Sequence, residues 1–365
     1  MLFQNRLDMF TNMGGDSIQV LKTKEFLQYL GIHIDLSLQP APDLSSYDLV
    51  HLFNITKVDE TFVQMLHAKR NNKKVILSPI YWNMKEYRRM NTTLASTGRH
   101  ILSGISKTFS IFEKHRTKSI RQLPYSEFLT LQRTVLDQAD AILPNSAMER
   151  DLLTNDFRGI DAKKIFVIPN GVETSMLNKK KSSFADKLNL KNYILCVGRI
   201  EERKNQYRLI RSLSKTTIPL ILIGKMPNSY YALFCQKEAR KRKNVYFLGE
   251  VPHEELGPIY ADAIVHALPS WYETPGLANL EAGLLGCNLA ISNRGSVGEY
   301  FGDLAYYCEP SNERSIRDAV IRAYNTPKSD VLSRFIQQNY SWEVVAKKTL
   351  SCYLEILNNA KPQIT

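Results

Sequence analysis

The segment YILCVGRIEERKNQYRLIRSLSKTTIPLILIG, residues 193–224, decides the fold class. It begins with an apolar run over 193–200, continues with a helical pattern over 205–214 and ends with a second apolar run over 219–224. Two short apolar runs joined by a helical segment are typical of a β-α-β unit with parallel strands. The segment therefore predicts a parallel sheet that is covered by helices.

The same alternation of strands and helices extends in both directions from this unit. Strands are predicted before it at MLFQ, IHIDLSL, YDLVHLF, KKVILSPIYW, DAILPNS and KIFVIPNGVE, and after it at NVYFLGEV, AIVHALP, NLAISN and LAYYCEP. Residues 173–191 interrupt the pattern with KKKSS and little apolar periodicity, so we predict a linker there. The chain is thus predicted to be an α/β protein with two doubly wound, Rossmann-like domains, residues 1–172 and 173–345, that face each other across a cleft.

Length and composition agree with this organisation. A chain of 365 residues is long for one core, and 44% hydrophobic with 23% charged residues is typical of soluble globular proteins. No apolar stretch approaches the roughly 18 to 20 residues of a spanning helix, and the start of the chain does not resemble a secretory signal. We therefore predict a cytoplasmic protein. The five cysteines are scattered and odd in number, which predicts reduced thiols.

The net charge of +12 bears on the partners, which could be nucleic acid, an anionic membrane surface or a phosphate-bearing substrate, and part of it is concentrated between Lys85 and Arg121. That segment has nine Lys or Arg residues against two acids, with apolar residues interleaved. Three interpretations remain open for it: a solvated basic segment, contact with an anionic membrane surface, or contact with nucleic acid. Nucleic acid is the least favoured of the three.

The motif GRIEERKN, residues 198–205, follows an apolar strand directly and predicts an anion site. Gly198 permits a tight turn and a close approach of the backbone to a ligand. Arg199 and Lys204 add positive charge next to the start of the following helix, whose amide groups also favour anions. A basic turn between a strand and a helix is common, so this motif alone does not identify a phosphate site.

A second motif, PSWYETPGLANLEAGLLG at residues 269–286, carries two carboxylates eight positions apart, Glu273 and Glu281. Glu273 is predicted in the loop after a strand and Glu281 in the first turn or so of the next helix. Two carboxylates at the carboxyl end of one strand can accept hydrogen bonds from the hydroxyl groups of a sugar or ribose. The alternative is a pair of solvated acids near the positive end of a helix.

Taken together, these motifs resemble those of family four glycosyltransferases, which have the GT-B fold. The order GRIEERKN, FLGEV and PSWYETPGLANLEAGLLGCNLAISNRGSVGEY matches the C-terminal domain of that family, including its Glu-x7-Glu signature. Gly14-Gly15, ADAILPNSAMERDLL, VIPNGVE and the final SWEVVAKK helix extend the likeness over nearly the whole chain. The resemblance implies a retaining transfer from a nucleoside-diphosphate sugar without a metal cofactor. It also implies that a C-terminal helix, about 346–365, crosses back onto the first domain.

The resemblance implies roles for individual residues. Arg199 and Lys204 would bind the donor diphosphate, Gly14 and Gly15 would let the first helix approach it, and Glu273 would hold the donor sugar as the third catalytic residue. The remaining expected donor contacts lie in three loops and one helix: Gly198, the base contacts Glu250 and Val251, the pocket residues Thr274, Pro275, Gly276 and Leu277, and the ribose contact Glu281.

Tyr81 and Pro275 depart from the family pattern, and His51 is a further candidate contact. Relatives often carry a His after the strand that here reads VILSPIYWN, whereas this chain has Tyr81, which is either a hydrogen-bond donor or a packed aromatic ring. His51, at the end of a neighbouring strand, is either a structural histidine or a contact of donor or acceptor. Pro275 also stands where relatives more often have another residue, and it fixes the loop beside Glu273.

The predicted function is therefore transfer of a sugar from a UDP- or GDP-type donor to a glycan, lipid-linked or other glycoconjugate acceptor, in surface polysaccharide biosynthesis at the inner face of the membrane. A nucleic-acid-modifying glucosyltransferase of the same fold and a catalytically silent sugar-nucleotide-binding module are the two alternatives.

Overall fold

The computed structural model of this protein describes residues 1–82, 124–178, 190 and 192–358. The basic segment Lys85–Arg121, for which a solvated surface, membrane contact and nucleic-acid contact were left open, lies outside the described residues, and so do residues 359–365 of the predicted last helix. In the part of the chain that is described, strands and helices alternate and the strands form two sheets.

The first sheet has the strand order β2-β1-β3-β4-β5 within the described residues, and all its paired strands are parallel. Its strands are β1 (Leu2–Gln4), β2 (Asp35–Ser37), β3 (Leu49–Phe53), β4 (Lys74–Ser78) and β5 (Ala141–Ile142). Every residue of β1, β3 and β5 is buried, as expected for a parallel sheet with helices on both faces. These helices are α1 (Gly15–Tyr29), α2 (Val58–Arg70), α3 (Tyr125–Gln138) and α4 (Ala147–Asp156).

The second sheet has the order β11-β10-β9-β6-β7-β8, again with parallel pairing throughout the described strands. Its strands are β6 (Ile194–Val197), β7 (Leu220–Ile223), β8 (Val245–Phe247), β9 (Val265–Leu268), β10 (Asn288–Ser292) and β11 (Tyr306–Cys308). The helices of this half are α5 (Gln206–Ser212), α6 (Tyr230–Ala239), α7 (His253–Asp262), α8 (Leu277–Leu284), α9 (Val297–Phe301), α10 (Glu313–Asn325), α11 (Val331–Tyr340) and α12 (Trp342–Asn358).

The last helix, α12, packs against the core of the first half of the chain. Its buried face contributes Trp342, Val345 and Tyr353 to a core that also contains Phe3 of β1 and Val20 of α1. The helix begins at Trp342 and not near 346, because Trp342 already packs in that core.

Two details differ from the sequence prediction. KIFVIPNGVE is not a strand of the sheet: Ile165 forms only an isolated bridge with Ile142, and Pro169, which has no amide hydrogen to donate, soon follows. Helix α10 was not predicted, although Asn312 accepts hydrogen bonds from the amides of Arg314 and Ser315, and the helix buries a stripe at helical spacing formed by Ile316, Ala319, Val320 and Ala323.

Contacts of α9 join the two halves. The Glu299 carboxylate accepts hydrogen bonds from the amides of Ala147 (2.8 Å) and Met148 (3.2 Å), the first two residues of α4. The Tyr300 hydroxyl donates to the carbonyl of Asn145 (2.6 Å) and accepts from the amide of Asn170 (2.8 Å). A carboxylate at the positive end of a helix is stabilising, so this short helix ties the second half to the first.

A buried glutamate, Glu149 of α4, fixes the loops that follow β4 and β5. Its carboxylate accepts hydrogen bonds from the amides of Tyr81 (2.6 Å) and Asn145 (2.7 Å). Burial raises the pKa of Glu149 to about 7, although the two backbone hydrogen bonds act in the opposite direction.

We predict that Glu149 makes the protein less stable as pH rises from about 4.5 to about 7. In this window the unfolded carboxyl has lost its proton and the folded one retains it, so the folded state binds more protons and its advantage falls with pH. We therefore expect the free energy of unfolding, measured by chemical denaturation, to differ less between pH 5 and pH 7.5 in Glu149→Gln than in the wild type. The exposed Glu127 of α3 supplies the matched control, Glu127→Gln, whose pH dependence should follow that of the wild type. An unchanged slope in Glu149→Gln would contradict the prediction.

Candidate functional site

The centre of the candidate site is an ion pair between Lys204 and Glu273. Lys204 lies on a 3₁₀ turn after β6, and Glu273 lies in the loop after β9. The Lys204 ammonium donates to Glu273 Oε1 at 2.5 Å, and the two side chains are only 12% and 5% exposed. The sequence predicted a helix over 205–214 with Lys204 next to its start, and in the structure a 3₁₀ turn at Glu202–Lys204 is followed directly by α5, which begins at Gln206.

Arg203 is a second cation on the same carboxylate, and the sequence analysis did not select it. Its guanidinium lies 3.4 Å from Glu273 Oε1 and donates to the carbonyl of Tyr272 at 3.1 Å. Burial raises the pKa of Glu273, but the charges of Lys204 and Arg203 outweigh this effect and hold the pKa below its ordinary value. Glu273 is therefore an ionised carboxylate inside the fold. Arg203 stands directly before Lys204 in the sequence, and this adjacency could have predicted that both cations contact the same carboxylate.

The backbone around Glu273 is fixed by a close approach of Gly295. Gly295 has φ of +82°, and a Cβ there would lie 2.0 Å from the carbonyl oxygen of Glu273. The amide of Ser296 donates to that same oxygen at 3.0 Å. On the other side of the carboxylate, Gly276 has φ of +84°, and a Cβ on Gly276 would lie 3.0 Å from Glu273 Oε2. The carboxylate is thus enclosed by backbone that only glycine allows at these two positions.

The remaining residues of the predicted pocket lie in the same loop. The carbonyl of Thr274 accepts a hydrogen bond from the Asn170 side chain (3.2 Å), which comes from the segment that connects the two sheets. The carbonyl of Pro275 accepts from the Asn279 side chain (2.8 Å), and Leu277 begins α8. These bonds hold the loop in one conformation.

Glu281 lies in the second turn of α8 and is held by two residues of α7. Its Oε1 pairs with His253 Nε2 at 2.9 Å, and its Oε2 accepts from the Tyr260 hydroxyl at 3.0 Å. His253 follows directly on the loop that contains Glu250 and Val251, so the predicted base contacts and the predicted ribose contact are neighbours. His253 and Tyr260 were missed, although their spacing of seven places them on one helix face.

Arg199 reaches across to the first half of the chain. Its guanidinium donates to Asn12 Oδ1 (3.0 Å) and to the carbonyl of Met13 (3.1 Å), immediately before Gly14 and Gly15. Gly14 is the N-cap of α1, and no atom outside the immediate chain neighbours lies within 4 Å of a Cβ built on Gly15. The loop that contains Gly198, Arg199 and Lys204 therefore lies against the N-terminus of α1, with open space beside Gly15.

His51 and Tyr81 are engaged inside the first half of the chain. The two ring nitrogens of His51 pair with the Tyr353 hydroxyl (2.6 Å) and the Ser78 hydroxyl (2.9 Å), and burial lowers the pKa of His51 to about 3. A contact of His51 with donor or acceptor would need an accessible ring, but the side chain is 1% exposed. The Tyr81 hydroxyl donates to Asp156 at 2.7 Å and its ring packs on Phe157. Of the alternatives left open, the structure favours the structural histidine and the packed aromatic ring.

Trp82, the residue after Tyr81, crosses to the second half of the chain. Its ring stacks on Tyr272, with ring centres 5.8 Å apart and ring planes 25° apart. Tyr272 is the residue immediately before Glu273. The sequence pointed to Tyr81 and not to Trp82, so this contact beside the candidate site was not predicted.

No helix in the described ranges is both long enough and apolar enough to cross a membrane. In the same ranges, no group of three or more His, Cys, Asp or Glu side chains is arranged to hold a metal ion.

Comparison with known proteins relates the second half of the chain to a known family. Residues 178–342 match the family model described as glycosyl transferases group 1. The chain is 30% identical over 172 residues to O-antigen chain mannosyltransferase B of Escherichia coli, a match that covers 44% of this chain and 45% of that protein. It is 25% identical over 302 residues to the O-antigen chain mannosyltransferase RfbU of Salmonella typhimurium, covering 78% and 82%. The match spans about half of the length of most of the first curated relatives.

Solved structures confirm the predicted fold. Sucrose-phosphate synthase from Thermosynechococcus elongatus has a TM-score of 0.71 at 17% identity, covering 98% of this chain and 99% of that one. HepE from Anabaena, solved with UDP and glucose, has a TM-score of 0.69 at 14% identity, covering 97% and 99%. The chain therefore has the GT-B fold of two Rossmann-like domains, and its second half is related to the group 1 glycosyltransferases.

We predict that Gly295→Ala destabilises the protein more than Gly31→Ala does. Both glycines have nearly the same positive φ, +82° and +84°, but a Cβ at Gly31 meets no atom within 4 Å. The difference in unfolding free energy, measured by urea denaturation, isolates the clash with Glu273 and should be about 1–3 kcal/mol. Equal losses in the two variants would show that the contact of Gly295 with Glu273 does not matter for stability.

We also predict that His51→Ala lowers the free energy of unfolding by about 2–4 kcal/mol, because it removes a buried ring and leaves two buried hydroxyls without their partner. His33 lies in the same domain with its side chain 84% exposed, so His33→Ala is the control and should be nearly neutral. A neutral His51→Ala would contradict the structural role.

Proposed function

We propose that this protein is a retaining glycosyltransferase that moves a sugar from a nucleoside-diphosphate sugar to a hydroxyl group of a glycan or lipid-linked acceptor. One observation carries the proposal. Lys204 and Arg199 lie in the same loop after β6, where Lys204 forms a buried pair with Glu273 and Arg199 reaches the N-terminus of α1 across the cleft. Cations and a helix N-terminus that converge from two domains are suited to a diphosphate.

The diphosphate would bind between Lys204, Arg199 and the start of α1. An ammonium group has three N–H donors, and Glu273 takes up only part of this capacity, so Lys204 can bind the carboxylate and a phosphate oxygen together. Arg199 would turn from its contacts with Asn12 and Met13 to the phosphate or share its donors between them. The open space at Gly15 supports a close approach of the phosphates to the α1 amides.

Glu281 would bind the ribose. A carboxylate fixed by His253 and Tyr260 keeps further lone pairs for the two ribose hydroxyls. Glu250 and Val251 would contact the base through their backbone. The structure of HepE was solved with UDP and glucose, which supports a nucleoside diphosphate as the leaving group, of either the UDP or the GDP type.

The transfer reaction needs charge stabilisation more than a covalent partner. The bond between the sugar C1 and the β-phosphate oxygen breaks, and the acceptor oxygen forms its bond to C1 on the same face. The acceptor proton passes to the leaving phosphate, so the products are the glycoside and the nucleoside diphosphate. Lys204 and Arg199 would stabilise the negative charge that develops on the phosphate, and Glu273 would orient the sugar hydroxyls. No metal ion is required in this proposal.

The printed names of the relatives support a proposal for the acceptor. Two of the related proteins are O-antigen chain mannosyltransferases, which supports a growing surface polysaccharide as the acceptor. We propose that the enzyme works in the cytoplasm at the inner face of the membrane. The basic and apolar segment Lys85–Arg121 would contact anionic lipid there.

The proposal predicts that Arg199→Ala, Lys204→Ala and Glu281→Ala each lower kcat/KM for transfer by about 100-fold or more, because each removes a charged contact to the donor. The donor is first identified by the rise in melting temperature over a panel of UDP and GDP sugars. The exposed Lys241, which pairs with Glu238 on α6, gives the control Lys241→Ala.

Two outcomes would contradict the proposal. If each of the three variants transfers sugar as fast as Lys241→Ala does, the site assignment is wrong. The anomeric configuration of the product can be read from the NMR coupling at C1. If it is opposite to that of the donor, the mechanism is not retaining.

A further inference from the structure

The segment Ile80-Tyr81-Trp82 is held in an unusual conformation at the edge of the cleft. Ile80 has φ of +49°, a value in the left-handed region that is costly for a β-branched residue. Backbone strain of this kind persists only where the surroundings fix it, and it occurs often at functional sites. Here the surroundings are Glu149, which binds the amide of Tyr81, and Asp156, which binds its hydroxyl.

The strained turn has one visible result, the position of Trp82. With Tyr81 anchored by two hydrogen bonds and by its contact with Phe157, the next residue is directed toward the other domain. There the Trp82 ring stacks on Tyr272 at 5.8 Å. The Tyr272 backbone is in turn held by Arg203, which also contacts Glu273. Both rings are therefore fixed from behind, each by its own domain.

We propose that the Trp82–Tyr272 stack is a positioning element that closes the cleft beside the donor sugar and excludes water from it. The inference rests on the proposed function. A glycosyl donor can lose its sugar to water as well as to the acceptor, and in both reactions the oxygen of the nucleophile bonds to C1 and its proton goes to the leaving phosphate. An apolar pair next to Glu273 disfavours water at C1 and leaves the acceptor hydroxyl as the nucleophile.

The stack also accounts for the aromatic residues at this position. A 5.8 Å separation leaves no room for a sugar ring between the two side chains, so they serve as a contact between domains and not as a sandwich around a ligand. Opening of the cleft for donor entry requires the rings to part, and their return forms the closed state. The energy of an aromatic pair is small, which makes it suitable for a contact that forms and breaks in each cycle.

The test is the ratio of transfer to donor hydrolysis, measured in one reaction as glycosylated acceptor against total nucleoside diphosphate released. Trp82→Ala should lower this ratio by about fivefold, whereas Trp82→Phe, which keeps a stacking ring, should stay close to the wild type. Tyr272→Ala should have a similar effect, and the double variant should be no worse than the stronger single variant. The control is Phe335→Ala, which breaks an aromatic contact of 5.9 Å with Tyr340 outside the stack.

A second variant separates the position of Trp82 from general stability. Ile80→Gly relieves the strain at positive φ and lets the turn leave this conformation. It should lower the transfer-to-hydrolysis ratio without lowering the melting temperature. A wild-type ratio in Ile80→Gly would show that the strained turn does not hold the stack.

The possible failures can be told apart. If the wild type neither transfers nor hydrolyses any nucleotide sugar, the proposed function is wrong. If the wild type transfers sugar and Trp82→Ala keeps the same ratio of transfer to hydrolysis, only the role of the stack is wrong. A ratio that falls equally in Phe335→Ala would likewise overturn that role, since the effect would then be one of stability.

Discussion

The ion pair of Lys204 with Glu273 is the interaction on which the candidate site depends. Two buried charges lose most of their hydration, and this loss is compensated only if each keeps its partner. Burial lowers the pKa of Lys204, and the charge of Glu273 opposes this shift only in part. The carboxylate has two cations, Lys204 and Arg203, and is held ionised. The backbone on both sides of Lys204 and of Glu273 is therefore restricted in position, since any displacement would separate the two charges.

This constraint explains why the backbone near Glu273 is so closely packed. Asn205, directly after Lys204, binds the carbonyls of Pro269 and Pro310, and Gly295 touches the carbonyl of Glu273 itself. The loops after β6, β9 and β10 are thereby joined into one unit at the carboxyl edge of the second sheet. Open α/β sheets bind ligands at that edge, and here the contacts just described hold the charged groups in place there. A preformed set of charges requires little reorganisation during a reaction.

Much of the fold could be predicted from the sequence because its signals are local. Apolar runs such as YILCVGRI correspond to buried strands, and the parallel order follows from the helices between them. The spacing of Glu273 and Glu281 relative to the preceding strand also located the two carboxylates correctly in loop and helix. Partners that depend on tertiary packing could not be predicted: His51 meets Tyr353 from a helix 302 positions away, and no local pattern records such a contact. The same holds for Trp82 on Tyr272.

The two halves of the protein are joined by contacts of different strength, and this difference bears on motion. Glu299 and Tyr300 make four hydrogen bonds to loops of the first domain, two of them to the start of α4. These contacts lie in one short helix, which can serve as a pivot. At the candidate site the contacts are fewer: Arg199 makes two hydrogen bonds to Asn12 and Met13, and Trp82 makes one ring contact with Tyr272. Because the larger set of contacts is the more costly to break, relative movement of the domains would open the cleft at Arg199 and Trp82 first and leave the Lys204–Glu273 pair intact.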